Sequence, residues 1–423
     1  MKNIILAVLI IAILLVSLPA CQAPPAQPQV IMTASIEPLV TAIPPIASAT
    51  SIPLTPTASA TSVPPTATAI PAAVGPEKYP AGINPLTGLP VKDPQKLLLP
   101  PALISISNSP VTARPQAGLS FSPLVFELFI GEGSSRYLAF FYGDYPEVAG
   151  KTDSEVEIGP IRSGRLPYEM LRKLYNGFVL MAYASIWVMP NLTYFTNINT
   201  ENPDSINGAR VRISDLNNLA TQYQKDLGQP VYSGLKFDAS PPKGGKPGSR
   251  LWIPYAYVDQ VIWKYDTDLG VYHRFQDEED GKTFVEMTDS LTDESLAFEN
   301  VIVMYVTHIA HRETLIDLEL MYQPPTPALL FRDGKMQEIY WTTSSDTYER
   351  TTGKLRPIRF VDREGIPVPL KPGQTWVEIV PRFSPYYETV DSLEYSDLVN
   401  KSEPDSGIWA VRFIHPDNLN PSE

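Results

Sequence analysis

The sequence predicts an α+β protein: an N-terminal mixed sheet with helices, then a mainly antiparallel β region, the whole carried on a disordered tether. Three observations carry that expectation. Between residue 79 and about residue 240, short apolar or alternating runs are interleaved with two segments of helical spacing. After the breaker Pro241-Pro242-Lys243-Gly244-Gly245-Lys246-Pro247-Gly248 the apolar signal is almost wholly that of strands. Before residue 79 the chain is dominated by Pro, Ala, Thr and Ser and has no amphipathic period.

In chain order, Met1-Lys2-Asn3 precedes an uninterrupted apolar stretch from Ile4 to Val16. That stretch is shorter than the roughly 20 residues a membrane-spanning helix needs, and it fits the layout of a secretory signal over 1–20. Leu18-Pro19-Ala20-Cys21 closes it as a lipobox. Ala20 is the small residue required before the cut, and Cys21, the only cysteine in 423 residues, would take a diacylglyceryl group and become the new N-terminus. Two or more acyl chains anchor a protein stably. The expected location is extracytoplasmic, lipid-anchored to the bacterial cell membrane. With Cys21 acylated no thiol remains, which excludes disulfides, cysteine nucleophiles and thiolate metal sites.

The segment 21–78 is the lipid-anchored linker. From Gln22 to Val74, Glu37 is its only charge. Pieces such as Pro64-Pro65-Thr66-Ala67-Thr68 cannot bury enough surface to offset the entropy of ordering. Proline keeps such a chain extended, so about 50 residues at ~3 Å each reach on the order of 100–150 Å.

The body divides into an N-terminal domain over 79–240, a connector at 241–250, a β-rich domain over 251–382 and a C-terminal extension over 383–423. In the first part, apolar runs at Ala102–Ser107, 124–130 and 137–142, bounded by Pro, Gly and Asn, predict strands. Pro167–Leu174 carries the helical spacing of Met170, Leu171 and Leu174, and Gly177 can end it. Residues 178–184 fit a buried strand. Ser214 before Asp215 is a good N-cap for a helix through Leu216, Leu219 and Tyr223 toward Gly228. In the second part, strands are predicted at 258–265, 271–275, 301–306, 315–322, 328–331, 337–342 and 376–380. Asp333-Gly334 is a hairpin turn signal.

The chain has 33 basic and 46 acidic residues, a net charge of −13. Phosphate neutralisation dominates nucleic-acid binding, so an acidic chain is a poor candidate for it. Anchorage therefore falls to the lipid rather than to surface charge. Nucleophile elbows, zinc-protease helices and dinucleotide loops are absent from the sequence. Gly281-Lys282-Thr283 lacks the upstream glycine of a P-loop, and Asp277-Glu278-Glu279-Asp280 before it would repel phosphate. The same run is out of register with a calcium loop, since Glu286 falls one residue early, and it reads as a solvated hairpin turn. His308 and His311, three apart on a strand, point to opposite faces. No metal or cofactor is expected.

The informative constellation is charge set among apolar residues: Arg114, Glu127, Glu132, Arg136, Arg162 and Arg165. Glu127 interrupts Leu124-Val125-Phe126 and Leu128-Phe129-Ile130. A carboxylate there must face water or find a partner, because an unpaired buried charge is very costly. Arginine is its natural bidentate partner. These six residues are expected to cluster, either as an internal ion-pair network or as a cleft for an anionic or polyhydroxyl ligand.

Several ordered motifs resemble the YerB-like lipoprotein family, catalogued as a two-part domain of unknown function. They are Asn84-Pro85-Leu86-Thr87-Gly88, Ala113-Arg114-Pro115-Gln116-Ala117-Gly118-Leu119, Glu127 with Gly131-Glu132-Gly133 through Arg136, and Ile158-Gly159-Pro160-Ile161-Arg162-Ser163-Gly164-Arg165. In the second half, Asn300-Val301-Ile302-Val303 and Leu370-Lys371-Pro372-Gly373-Gln374-Thr375-Trp376-Val377 complete the set, so the resemblance spans nearly all of 83–381. Where the family has a His- and Gly-rich turn, this chain has Ser185-Ile186-Trp187-Val188-Met189-Pro190. The resemblance implies a lipid-anchored envelope protein and no particular activity. The residues favour a non-catalytic protein that binds a wall polymer, a small ligand or an envelope protein. The alternative is a hydrolase or transferase acting on an envelope polymer, with Glu127 or Glu132 as general acid or base.

Overall fold

A computed structural model describes residues 73–200, 205–345 and 347–416. The signal segment 1–20, Cys21 and the tether as far as residue 72 lie outside the described residues. Val74 already belongs to the folded body: it bridges Phe237, and the Tyr79 hydroxyl donates to the Leu235 carbonyl at 2.6 Å.

The apolar runs of the first part become β1 (Ala102–Ser107), β2 (Leu124–Gly131), β3 (Ser134–Phe141), β4 (Phe178–Met181) and β5 (Phe195–Asn197). They order as β2-β3-β1-β4-β5, antiparallel across β2-β3-β1 and parallel across β1-β4-β5. Two helices accompany them, α1 (Pro167–Leu174) and α2 (Ile213–Leu227). The second helix starts one residue before the expected Ser214 cap, with Arg212 at its N-cap and no side-chain bond. Its first amides are met from outside instead, Ile213 N–H by the Val156 carbonyl and Ser214 N–H by that of Asp153.

The second part contributes β6 (Arg250–Ala256), β7 (Asp259–Asp266), β8 (Val271–Asp277), β9 (Phe284–Glu286), β10 (Asn300–Val306), β11 (Thr326–Arg332), β12 (Lys335–Thr342), β13 (Arg359–Val361), β14 (Thr375–Pro381), β15 (Tyr386–Glu388) and β16 (Ile408–Val411). Strands β10 to β14 enlarge the first sheet, because β14 lies between β10 and β2 and runs parallel to both. Among the described residues that sheet has eleven strands, ordered β13-β12-β11-β10-β14-β2-β3-β1-β4-β5, with Lys246–Pro247 added on β12. The smaller sheet runs β9-β8-β7-β6-β16-β15, with Ala297–Phe298 paired to β8. The β11–β12 turn has φ of 52° at Asp333 and 69° at Gly334, as a tight hairpin turn requires.

Two strands are shorter than their apolar runs. The run 315–322 forms only Leu315–Leu318, paired with His308–Arg312 in a hairpin outside both sheets. The run 178–184 stops at Met181, because the next residues pair with the segment 162–164: Ala182 N–H donates to the Arg162 carbonyl and Gly164 N–H to that of Tyr183.

The central strands β1, β2, β10 and β14 of the large sheet are buried on both faces, which is why they read as near-continuous apolar runs. Ile104, Val125, Tyr137 and Ala139 pack with Leu251, Ile253 and Trp263 of the smaller sheet and with Leu216 of α2. Leu103, Phe126, Leu138 and Phe140 pack on the other side with Leu171 and Leu174 of α1. The outer side of the smaller sheet has its own cluster, Trp252, Ile262, Leu398 and Ala410, half of it drawn from the C-terminal extension.

That extension is thus part of the sheet: β16 pairs parallel with β6 from Arg250 to Trp252 and antiparallel with β15. Removing residues 383–423 strips one edge of β6 and uncovers Trp252 and Ile262. The truncated protein is expected to melt at least ~10 °C lower than the full chain, or to be insoluble, since each large apolar side chain uncovered costs ~2 kcal/mol. Thermal unfolding followed by circular dichroism checks this.

Candidate functional site

The parallel register of β2 and β14 sets Glu127 directly beside Glu378 on one face of the large sheet, toward the smaller sheet. Both are fully buried. Arg274 of β8, also fully buried, reaches across and bonds Glu127 Oε2 at 2.7 Å. Its guanidinium carbon lies 4.9 Å from the ring centre of Trp376, 5.2 Å from Tyr137 and 5.8 Å from Trp263. Those aromatic faces accommodate the cation where Nε and Nη1 find no hydrogen-bond acceptor. Glu127 also accepts from Ser135 Oγ at 2.6 Å and from the Trp376 indole at 3.3 Å.

Glu378 has no arginine of its own. It accepts from the Trp263 indole and the Tyr255 hydroxyl, each at 2.7 Å. Burial, and then the neighbouring Glu127 charge, push its carboxyl well above the usual carboxylate range. Asp259 of β7 is pushed up to about 7 for the same two reasons in the same order. It accepts from Ser135 N–H at 2.5 Å, Gln276 Nε2 at 2.7 Å and Asn108 Nδ2 at 3.2 Å. The acidic run is not simply a solvated turn either: Asp277 is buried and holds Gln260 N–H and Gly281 N–H, while Asp280 stays exposed. Arg114 joins this network from the loop after β1, donating to the carbonyls of Asn108 at 3.0 Å and Asp277 at 2.5 Å.

A second charged group lies at the carboxyl ends of the parallel strands. Strands β1 and β4 are paired only as far as Ile104 and Leu180. Beyond that point the segment 159–164 is wedged between them, with Arg162 N–H on the Ser105 carbonyl and Arg162 C=O on Ala182 N–H. In open α/β sheets such a crevice outside the strand ends is where ligands bind. Arg136, at the end of β3, donates through Nη1 to the Ser163 carbonyl at 3.2 Å and is only 7% exposed. Arg165 donates to the Gly164 carbonyl at 3.1 Å, and Arg162 to Ser107 Oγ at 3.2 Å and the Ile206 carbonyl at 3.0 Å. Among the described residues none of the three forms an ion pair with a carboxylate. Nε of Arg136 and Nε of Arg165 are buried with no acceptor at all.

Burial, followed by the repulsion of Arg165, pulls Arg136 down to about 9, and burial lowers Arg162 and Arg165 as well. The lowering thus reflects first the removal of the guanidinium groups from water, and for Arg136 and Arg162 also the repulsion of Arg165. Glu132, exposed in the β2–β3 turn at φ 49°, acts on Arg165 through its charge without touching it. A cavity of about 400 Å³ opens beside the wedge, lined by Ile161, Arg162, Ser163, Ala182, Tyr183 and Ile206 among others.

The structure therefore places Glu127 and Arg114 in the interlayer network, and Arg136, Arg162, Arg165 and Glu132 at the crevice. The strand period separates them, since Glu127 pairs with Tyr137 across β2 and β3 while Arg136 points to the other face. The partner of Glu127 is Arg274, which sequence reasoning missed. So was Glu378, although it interrupts Trp376-Val377 and Ile379-Val380 as Glu127 interrupts its own run. His308 is buried with Nδ1 on the Val306 carbonyl at 3.0 Å, while His311 is exposed.

Residues 86–226 match the N-terminal domain, and residues 251–377 the C-terminal domain, of a family described as protein of unknown function DUF3048. The chain is 27% identical over 320 residues to YerB of Bacillus subtilis (strain 168), a lipoprotein by name, covering 70% of this chain and 86% of that protein. The crystal structure of the YerB protein from Bacillus subtilis is similar with a TM-score of 0.55, at 24% identity, over 70% of this chain and 96% of that one. That likeness is one of fold.

The two buried glutamates are expected to respond oppositely to the same exchange. Glu127→Gln leaves Arg274 a buried, unpaired cation and should cost about 3–5 kcal/mol. Glu378→Gln keeps an acceptor for Trp263 and offers Tyr255 a donor, so stability at pH 7 should be unchanged or higher. A carboxyl whose folded pKa is raised contributes stability that is complete below the ordinary carboxylate range and lost as pH rises toward the raised value. With Asp259 at about 7 and Glu378 also raised, the wild type should lose stability from pH 4 to pH 7, and Glu378→Gln should flatten that slope. Urea unfolding across this range checks both; a Glu378→Gln variant as weakened as Glu127→Gln would contradict the assignment.

Proposed function

Because the chain belongs to the YerB-like family, whose two domains of unknown function its residues 86–226 and 251–377 match, we propose that it is a lipid-anchored envelope protein that binds an anionic ligand without transforming it. The observation that carries the reading is the group Arg136, Arg162 and Arg165, held around Ser163 and Gly164 with no carboxylate among the described residues in contact. Placing cations together in a half-buried crevice is costly, and an incoming phosphate or carboxylate relieves that cost through charge-assisted, bidentate bonds. A positive crevice on a chain with 46 acidic and 33 basic residues also focuses field where the ligand must arrive.

Binding is favoured over hydrolysis by the placement of the acids. Glu127 is fully buried and occupied by Arg274, Ser135 and Trp376, so it has no route to a polymer. Of the two carboxylates expected to serve as acid or base, Glu132 alone lies at the crevice, so those two do not assemble the pair that glycosidic hydrolysis normally uses. Anchoring at Cys21 is supported by the lipobox and by the lipoprotein name of YerB. A wall polymer bearing phosphate or carboxylate groups is the natural partner for a crevice at the end of such a tether.

Two measurements test this. The double variant Arg136→Gln/Arg165→Gln should fold normally yet lose about tenfold or more in retention on purified wall polymer, because hydrogen bonds to charged groups are worth about 1.5–3 kcal/mol. Polymer cleavage by the wild type that vanishes in Glu132→Gln would overturn the non-catalytic reading. Cys21→Ala should release the protein from the membrane fraction or leave it unprocessed, and unchanged anchoring would refute lipidation there.

A further inference from the structure

Exposed aromatic side chains stand beside the arginine crevice. After β4 the chain exposes Tyr183 at 58%, Ile186 at 77% and Trp187 at 52%. Tyr183 is bonded through its carbonyl to Gly164 N–H, inside the arginine-bearing wedge, and is held at φ 60°, a costly conformation for a bulky residue. Arg312, from the hairpin His308–Arg312/Leu315–Leu318, stacks on Trp187 at 4.2 Å from the ring centre. The turn of that hairpin presses on the β2–β3 turn, where a side chain at Gly131 would collide with the Glu313 carbonyl. The hairpin thus brings Arg312 and Trp187 to the same side as the β2–β3 turn that carries Glu132, while Tyr183 lines the cavity of about 400 Å³ together with Arg162.

The floor beyond the wedge offers hydrogen bonds of the opposite sense. A second cavity of about 450 Å³ shares Ile198, Asn199 and Ser205 with the first and adds Asn197, Arg210 and Asp215. Asn197 Oδ1 is buried there without a donor. Each cavity falls within the range of ~300–1,000 Å³ common for small-ligand sites. Unpaired arginine N–H groups, an unsatisfied amide acceptor and the exposed Tyr183 ring ask for three things at once: an anion, a hydroxyl and a ring with an apolar face.

Resting on the anion-binding reading above, we infer that the ligand is an acidic glycan, with a sugar ring stacked at Tyr183, its hydroxyls reaching Asn197 and its carboxylate or phosphate on Arg136, Arg162 and Arg165. An acidic peptide would satisfy the arginines but leave the ring faces and Asn197 without partners. Single-stranded nucleic acid would use both rings and arginines, yet it would meet a strongly acidic protein overall.

The full-length protein is titrated with polygalacturonate, with poly-L-glutamate as a charged polymer without rings, and with oligothymidylate. Polygalacturonate should bind about tenfold or more tightly than poly-L-glutamate. Tyr183→Ala and Asn197→Ala should each erase most of that preference while leaving poly-L-glutamate binding unchanged. Equal binding of the two polymers, both dependent on Arg136 and Arg165, would overturn the glycan inference and leave the anion site standing. Tighter binding of oligothymidylate would overturn it in favour of nucleic acid. Binding of none of the three would remove the anion-binding reading as well.

Discussion

The contact between Glu127 and Arg274 is the constraint around which the two sheets are built. A parallel register sets two glutamates side by side on the face where the sheets meet, and one arginine from the opposite sheet reaches that face. A buried ion pair is not in itself a source of stability, because desolvation consumes most of the Coulomb attraction. What it imposes is position. Strand β8 must bring Arg274 over Glu127, and Trp376, Tyr137 and Trp263 must close around the guanidinium. Shifting β8 by one residue would bring His273 or Phe275 to the place of Arg274 and leave the two carboxylates without its guanidinium.

Charge is treated differently on the two faces of the large sheet. Between the sheets, carboxylates outnumber cations, and the excess is carried by raised pKa values and by neutral donors such as Tyr255, Trp263 and Gln276. At the carboxyl ends of β1 and β4, cations outnumber carboxylates among the described residues and bond there to carbonyl and hydroxyl groups. The first arrangement is internally closed and has no route to solvent. The second is incomplete, and incompleteness beside a cavity is what distinguishes a binding site from a core.

The backbone accounts for the location of the crevice. Parallel strands β1 and β4 part after three paired residues, and the wedge 159–164 fills the gap with its own amides and carbonyls. Arg162 is therefore held by main-chain bonds on both sides, and Arg165 directly follows Gly164, whose amide is bonded to the Tyr183 carbonyl. Tyr183 lies next to the same wedge, so the aromatic rim and the arginines share one rigid frame.

Local patterns in the chain were enough to determine most strands, the two longer helices, the Asp333-Gly334 turn and the mixed character of the sheets, because strand and helix periods are set by nearest neighbours along the chain. They did not determine the short helices Tyr348–Thr352 and Tyr395–Asn400. Glu127, Arg136, Arg162 and Arg165 could be singled out as unusual because charge within an apolar run is visible without a fold. Which of them meet was decided only by tertiary structure. Glu127 and Arg274 lie 147 residues apart, and Glu378 comes beside Glu127 only because β14 is inserted between β10 and β2. Tyr183 and Trp187 read locally as part of a strand end and its turn. They become a rim because the wedge cuts β4 short and turns those side chains outward, an outcome fixed by competition for backbone hydrogen bonds between segments distant in sequence.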